Sequence, residues 1–543
     1  MDAPGLAILA SFWIRTVFTS TVRKPHIVHI VADDIGHNDL GLSNNAMKTP
    51  TIDGLAREGV QFSHFYAQRE CAPSRTSIMT GRLPFHYGYY QNPSDDGAVP
   101  LNYTMLPQTL RSHGYRTHAI GKWHCGFRAS EFTPTGRGFE SFVGFWHWGE
   151  EYLDHAFPPY YKRAKCRGVD FVNASSGSGL IAPIMNSNGT RSTEIFIKEF
   201  ARVVAHHNSS EPLYAYIAFQ NAHDPYESAP PELVAGFDAA LGSMRRNFSA
   251  IVQDLDNGVA AVVGLLRSAG LWDNTILWFN SDNGGELPFT DQSKCRSDNL
   301  NPGDCGGAGN NWPLRGGKFT LLEGGVRVRT FVHSKLLPAA LRGTTWSGLS
   351  HVSDLFPTMA GIAGVSDLPA LDGFDLWPAI MGSTASPRKE LLHQPLNIYW
   401  NSSCTEADLS NPFVPACGGA LTVWPYKLLV GFPGDPRVVP LSGMPEKEGH
   451  EGFSRDMCTK QPCLFNIEED PSETREIFSA QSATGWRLYH RLLELSAPQA
   501  APQPTDALTP EPSDAACAVV DSTGAWLPWA DPLSKHKEVE LFA

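Results

Sequence analysis

The chain reads as an α/β protein: a large mixed, mainly parallel sheet sandwiched by helices, followed by a small antiparallel-sheet subdomain. Three observations predict this. Apolar runs of strand length recur along the chain, and each is followed by a loop punctuated with Gly or Pro and then by a helical pattern. The rhythm changes after "LDGFDLWPAIMG", Leu371 to Gly382, where the apolar runs become shorter.

Residues 1–22 form a candidate signal segment. Its apolar stretch "APGLAILASFWI", Ala3 to Ile14, is too short to cross a bilayer and is followed by Arg15, so no stable membrane span is expected. Asp2 stands where a leader carries positive charge, and "TVFTSTV" offers no clean cleavage site. A leader and an ordinary N-terminus therefore both stay open. The main α/β domain is placed at 23–389, with strands in "HIVHIVADD", "THAIGKWH", "LYAYIAFQNAH" and "TILWFNSDNGG" and helices in "TPTIDGLAREGV" and "IVQDLDNGVAAVVGLLRSAG". The subdomain, 390–496, contains "YKLLVGF", "CLFNIEEDPSE" and a closing helix "GWRLYHRLLELS". The remainder, 497–543, opens on "APQAAPQPTDALTPEPSD" and reads as a Pro/Ala-rich tail.

A formal net charge of −13 over 543 residues, without long acidic runs, argues against a nucleic-acid partner. An anionic substrate would need a local basic pocket. Asn-x-Ser/Thr triplets at Asn102, Asn173, Asn188, Asn208, Asn247 and Asn401, with ten cysteines, lean towards the secretory route. Close pairs such as Cys295 and Cys305, Cys404 and Cys417, or Cys458 and Cys463 would staple loops, although connectivity is not legible from sequence. If Cys71 serves another purpose, one of the other nine cysteines stays free. Cys125 and Cys517 are the candidates.

Open α/β sheets bind ligands at the carboxyl ends of their strands. Four of the apolar runs end in unusual polarity there: Asp33 and Asp34, Lys122 and His124, His223, and Asp282 with Asn283. Each pair alone is compatible with a helix cap or turn. Converging carboxylates, however, would repel without a cation between them, and an all-oxygen ligand set suits calcium or magnesium. The stretch "RECAPSRTSIMTGR", Arg69 to Arg82, reads as the start of a helix. Pro73 fits the first turn, Ile78 and Met79 can face a core, and Gly81 suits the stop. Cys71 would then face the positive end of the helix dipole. A soft thiolate is an ill-matched neighbour for a hard cation, which leaves disulfide, buried thiol and chemically altered group all open for Cys71.

At these residues the chain resembles the sulfatase family, specifically the formylglycine-dependent arylsulfatases that include N-acetylgalactosamine-4-sulfatase. The resemblance runs from about residue 25 to 480. It is carried by "VADDIGHNDLG", "TPTIDGLAREGVQFSHFYA", "CAPSRTSIMTGR", "GYRTHAIGKWH", "SDNGG", "NNWPLRGGKFTLLEGGVRVRTFV", "DGFDLWP" and "FNIEEDPSE". It implies an alkaline-phosphatase-like fold and hydrolysis of sulfate monoesters, with a sulfated carbohydrate or aryl sulfate as substrate and a lysosomal or extracellular destination. It further implies that a formylglycine-generating enzyme converts Cys71 to formylglycine (3-oxoalanine), whose hydrate is the nucleophile. Asp33, Asp34, Asp282 and Asn283 would hold calcium together with the modified Cys71. Arg75 would orient the hydrate, Lys122 and Lys318 would bind sulfate oxygens, His124 would act as base, and His223 would assist the departing alcohol.

Departures from the family pattern are Arg69 and Glu70 before the cysteine and Asp154 before His155, which is kept as a substrate-site candidate beside a structural role. The segment "GFWHWGEEYLDH" is unusually aromatic, and substrate identity is expected to lie in it, although packing is the commoner reason for tryptophans. Rival readings are a phosphonate or phosphodiester hydrolase of the same superfamily and a catalytically silent protein that binds sulfated glycans.

Overall fold

The computed structural model describes residues 23–93, 97–158, 165–187, 189–288, 306–382, 384–396, 398–399, 402–403, 418–438, 458–459, 461–496 and 513–530. The 1–22 segment, Asn188, Asn401, Cys295, Cys305, Cys404 and Cys417 lie outside the described residues, as do 497–512 and 531–543.

The main sheet is ten-stranded. Its strands are β1 (His26–Ala32), β2 (Val60–Phe62), β3 (Arg116–Lys122), β4 (Ser141–Phe145), β5 (Val172–Ser175), β6 (Leu180–Pro183), β7 (Leu213–Ala218), β8 (Thr275–Ser281), β9 (Thr330–Ser334) and β10 (Thr344–Trp346). In space they run β10-β2-β9-β8-β1-β7-β3-β4-β5-β6. The five central strands, β8, β1, β7, β3 and β4, are parallel, and antiparallel pairs flank them on both sides.

The uninterrupted apolar reading of "HIVHIVA" follows from burial on both faces. Ile27 and Val31 join one core with Met79 and Trp278, while Val28, Ile30 and Ala32 join the opposite core. On that second face lie helices α3 (Ser192–His206) and α4 (Ser243–Ser268), which contribute Phe196, Phe200, Leu255, Val259 and Val263. By length and composition α4 could cross a membrane, but most of its apolar window is packed inside the protein. Helix α1 (Pro50–Glu58) packs against α4, and α2 (Cys71–Thr80) lies on the first face and stops at Gly81 in the left-handed conformation.

The smaller sheet is antiparallel, with β11 (Glu390–Gln394), β12 (Gly419–Val423), β13 (Tyr426–Val430) and β14 (Cys463–Asn466) in that order. Helix α5 (Ser482–Ser496) covers it with Leu488 and Leu492. This core also takes in Tyr66, Leu321, Leu322 and Val326 of the main domain. Beside it, buried Lys427 reaches Glu323 at 2.9 Å and Glu473 at 3.0 Å.

Part of the expected tail is folded. Helix α6 (Asp514–Thr523) turns Ala516, Cys517, Val519 and Val520 inward, and Cys517 is disulfide-bonded to Cys166. Cys517 is therefore not the unpaired cysteine. Among the described residues the free thiols are Cys71 and Cys125, and Cys458 bonds Cys463. The Pro/Ala composition just before α6 hides a short amphipathic helix whose partners lie some 350 residues away in sequence.

Candidate active site

The sheet order sets the site. The adjacent strands β8, β1, β7 and β3 end side by side, with Ser281 level with Ala32, Val31 with Ala218, and Ala218 with Gly121. The polar residues that follow these strands thus meet at one edge. Gly121 has φ 96, and a Cβ there would lie 1.9 Å from the Ala218 carbonyl oxygen, so only glycine lets β3 approach β7 this closely just before Lys122. Asp34 and His124 themselves sit in the left-handed region, at φ 58 and 52, an uncommon backbone for such residues that clusters at functional sites.

Asp33, Asp34, Asp282 and Cys71 each offer a ligand atom, and these atoms lie within 4.8 Å of one another. Cys71 Sγ is 3.6 Å from Asp33 Oδ1. Three cations face the carboxylates. Arg75, one turn along α2, donates from Nε to Asp282 Oδ2 at 2.9 Å and stands 3.3 Å from Asp33. Lys122 Nζ is 2.7 Å from Asp33 Oδ2, and Lys318 Nζ is 2.8 Å from Asp34 Oδ2. Asn283 donates to Asp34 Oδ1 at 2.6 Å, while its own amide oxygen is buried with no donor among the described residues. That orphan oxygen beside three carboxylates fits a hard cation, because burying an amide oxygen without a partner is costly.

The pKa values of the two candidate proton carriers are shifted in opposite directions. His223 Nδ1 is 2.8 Å from Asp224 Oδ1, and its Nε2 is 3.2 Å from Lys318 Nζ. Burial disfavours a charged ring there, but the Asp224 carboxylate outweighs it and raises the His223 pKa. His124 has an unpartnered Nδ1, and burial first, then Lys122 and Arg75, hold its pKa well below the ordinary value. One imidazole is thus readied to give a proton and the other to accept one. Burial also pushes the Cys71 thiol well above its ordinary pKa, against the pull of Lys122 and Lys318. An unaltered Cys71 would be a poor nucleophile.

His155 does not join this group. Its ring contacts Glu150 Oε2 at 2.9 Å and the Thr190 carbonyl at 3.0 Å, and both ring nitrogens are thereby used internally. The unusual residues before Cys71 have a packing role. Glu70 accepts from Asn92 N at 2.9 Å, and the Asn92 side-chain oxygen accepts from Ala72 N at 3.0 Å, which together tie down the start of α2. The Arg69 carbonyl accepts from Phe319 N at 2.8 Å, joining the segment before Cys71 to the residue after Lys318. Asp224 and Glu286 were not legible as site residues. Glu286 lies 3.9 Å from Lys318, and burial chiefly raises its pKa to about 7. The signal for Asp224 was its place beside His223 in "NAHDP".

The profile of the Sulfatase family matches residues 25–365. Arylsulfatase J of Mus musculus is 31% identical over 529 residues, covering 96% of this chain and 83% of that protein. Arylsulfatase A of Homo sapiens is 30% identical over 419 residues, covering 73% of this chain and 74% of that one. Among solved structures, Ps i-CgsB in complex with k-i-k-neocarrahexaose aligns with a TM-score of 0.66 at 26% identity, covering 89% of this chain and 96% of that chain. With its strand-end cluster and this similarity, the chain belongs to the sulfatase family and is a sulfuric ester hydrolase of arylsulfatase type.

Proposed function

We propose that this enzyme removes sulfate from sulfated carbohydrates, using a formylglycine made from Cys71 and a calcium ion. The observation that carries the reading is the convergence of Asp33, Asp34, Asp282 and the donorless Asn283 oxygen around Cys71, with Arg75, Lys122 and Lys318 paired to the carboxylates. Asp33, Asp34, Asp282, Asn283 and the altered Cys71 would hold the ion. When bound, calcium supplies a Lewis acid that neutralises the carboxylates and the charge on the sulfuryl group. Formylglycine supplies a hydrated aldehyde, an oxygen nucleophile compatible with that hard ion, where a thiolate is not.

The chain's own residues do the rest. Arg75 fixes Asp33 and Asp282 through short ion pairs and adds positive charge beneath the reacting group. Lys122 and Lys318 bind sulfate oxygens, each already aimed into the cluster from a fixed backbone. His124, neutral and with Nδ1 open, receives the proton of the attacking hydroxyl. His223, whose pKa the Asp224 carboxylate raises, gives a proton to the leaving alcohol. A carbohydrate substrate is supported by the neocarrahexaose in the aligned complex. The two disulfides among the described residues support maturation in an oxidising, secretory compartment, where a formylglycine-generating enzyme would act.

Peptide mass spectrometry of the Arg69 to Arg82 region, on protein from its native host, tests the reading. The expected mass is that of an aldehyde or its hydrate in place of the thiol. Paired turnover of 4-nitrophenyl sulfate and bis(4-nitrophenyl) phosphate should favour the sulfate. Unaltered Cys71 throughout, together with absent sulfatase turnover, would overturn the mechanism. Preference for the phosphodiester would overturn the substrate class.

A further inference from the structure

We infer that Trp148 is the platform on which the ring of the leaving group rests, and that the C-terminal segment 513–530 is the buttress that holds it there. This deepens the proposed function and rests on it for the ring-bearing ester, for His223 as proton donor and for Cys71 as the source of the nucleophile.

Of the aromatic residues between Phe142 and Phe157, Trp148 alone is not fully buried. Its ring lies 5.6 Å from the ring of His223, the proposed proton donor, centroid to centroid. The neighbouring backbone is pressed against the same histidine, since a Cβ at Gly149 would stand 3.3 Å from the His223 ring. A partly buried indole beside the proposed proton donor offers its remaining apolar surface to an aryl ring or to the hydrophobic face of a sugar.

What fixes this indole comes from the other end of the chain. The Trp148 edge packs on Phe157 at 5.3 Å, and Phe157 stacks on His147 at 3.7 Å. Trp526 meets both, at 5.6 Å from Phe157 and 4.6 Å from His147. It also donates from Nε1 to the Phe157 carbonyl at 3.0 Å and accepts from Trp146 Nε1 at 3.0 Å. Ala525 bridges Val169, Trp529 packs on Phe127, and the Cys166–Cys517 disulfide locks α6 onto the same wall. Asp170 closes the group by accepting from the Trp146 and His147 amides. Trp526, Phe127 and Asp170, which hold Phe157 or His147, are buried, so movement of Trp526 is transmitted to Trp148. Trp148 is a binding residue here, and Trp526 is a positioning residue.

The test uses the full chain carrying Cys71→Ala, which cannot turn over an ester, and reads binding by titration calorimetry. Two probes separate ring from anion: 4-nitrophenyl sulfate and inorganic sulfate. Trp148→Ala should weaken 4-nitrophenyl sulfate about tenfold, a ~1.4 kcal/mol change, and leave inorganic sulfate unchanged. Trp148→Phe should restore most of the loss. Trp526→Leu and the paired Cys166→Ala, Cys517→Ala variant should each reproduce the same selective loss with Trp148 intact. Equal affinity of wild-type and Trp148→Ala backgrounds for 4-nitrophenyl sulfate would overturn the platform. Loss confined to Trp148→Ala, with both buttress variants unchanged, would overturn the role of the C-terminal segment. A parallel loss for both probes would overturn ring recognition and assign Trp148 to the anion site. These readings do not require turnover, so a failure of the proposed reaction would show separately, as an inactive wild-type enzyme.

Discussion

Replacing Lys427 with methionine probes how firmly the small antiparallel subdomain is joined to the segment carrying Lys318. Lys427, Glu323 and Glu473 are fully buried and mutually in contact, at 2.9 and 3.0 Å. Tyr66 donates to Glu323 at 2.9 Å, and the Glu323 amide donates to Glu473 at 2.7 Å. Burial opposes the charged lysine, but the two carboxylates outweigh it and raise its pKa. Methionine keeps the length and most of the volume yet removes the ammonium that bridges the two buried carboxylates, leaving Glu323 with Arg327 at 3.5 Å. Stripping one partner from such a group costs roughly 3–5 kcal/mol. Urea unfolding followed by near-ultraviolet circular dichroism at pH 7 should show that loss. Adding Glu473→Gln should recover part of it, with a coupling of about 1–3 kcal/mol. Because Leu321 and Gly316 donate to the Pro433 and Arg437 carbonyls, the lysine loss should also weaken sulfate inhibition through Lys318. A destabilisation below about 1 kcal/mol, or simple additivity of the two substitutions, would refute the shared ionic hub.

Cys71→Ala should abolish turnover of 4-nitrophenyl sulfate while leaving the thermal unfolding midpoint nearly unchanged, and retained turnover would rule out Cys71 as the source of the nucleophile. Calcium at 100 times its dissociation constant should stabilise the native chain by about 2.7 kcal/mol over chelator-treated protein, and Asp282→Asn should reduce that difference. His29 is fully buried on β1, and burial first, with a smaller push from Arg75, lowers its pKa to about 4 despite its bond to Asn280. The unfolded chain then binds the extra proton first as pH falls below 6.5. The His29 contribution to stability is therefore intact above pH 6.5 and is lost as pH falls towards 4, by up to ~1.4 kcal/mol per pH unit. Chemical unfolding across that range should give a shallower acid limb for His29→Gln, and an unchanged slope would count against the assignment.

The central sheet was legible because buried parallel strands have to be apolar on both faces. "HIVHIVA" and "TILWFNS" carry that burden in seven residues each. Their polar ends were legible for the complementary reason: carboxylates and lysines abruptly terminating such runs need partners, and the strand order brings those partners together. Relations settled only by packing were not legible. Asp224 acts by turning back on the His223 ring, Glu70 by reaching Asn92 across 22 residues, and Arg69 by pairing backbone with Phe319. Helix α6 was missed because its apolar face is short and its partners are remote, whereas the preceding Pro/Ala run dominates the local composition. His155 shows the converse. A histidine beside a familiar motif is fully occupied by Glu150 and Thr190 in the fold.

The complete burial of Cys71 has a consequence for the order of events during biosynthesis. The thiol has no accessible surface, and helix α2 around it is buried along its whole length. If a second enzyme converts this side chain as proposed, it would have to meet it as an unstructured peptide. The polypeptide between Cys71 and Cys517 takes roughly 20 to 90 s to synthesise at common rates. During that interval the C-terminal segment cannot yet lock onto Cys166, so the window for the proposed conversion of Cys71 would open early and narrow as the later strands arrive. Substitutions that speed packing of α2 should therefore lower the fraction of competent enzyme without altering any group at the finished site.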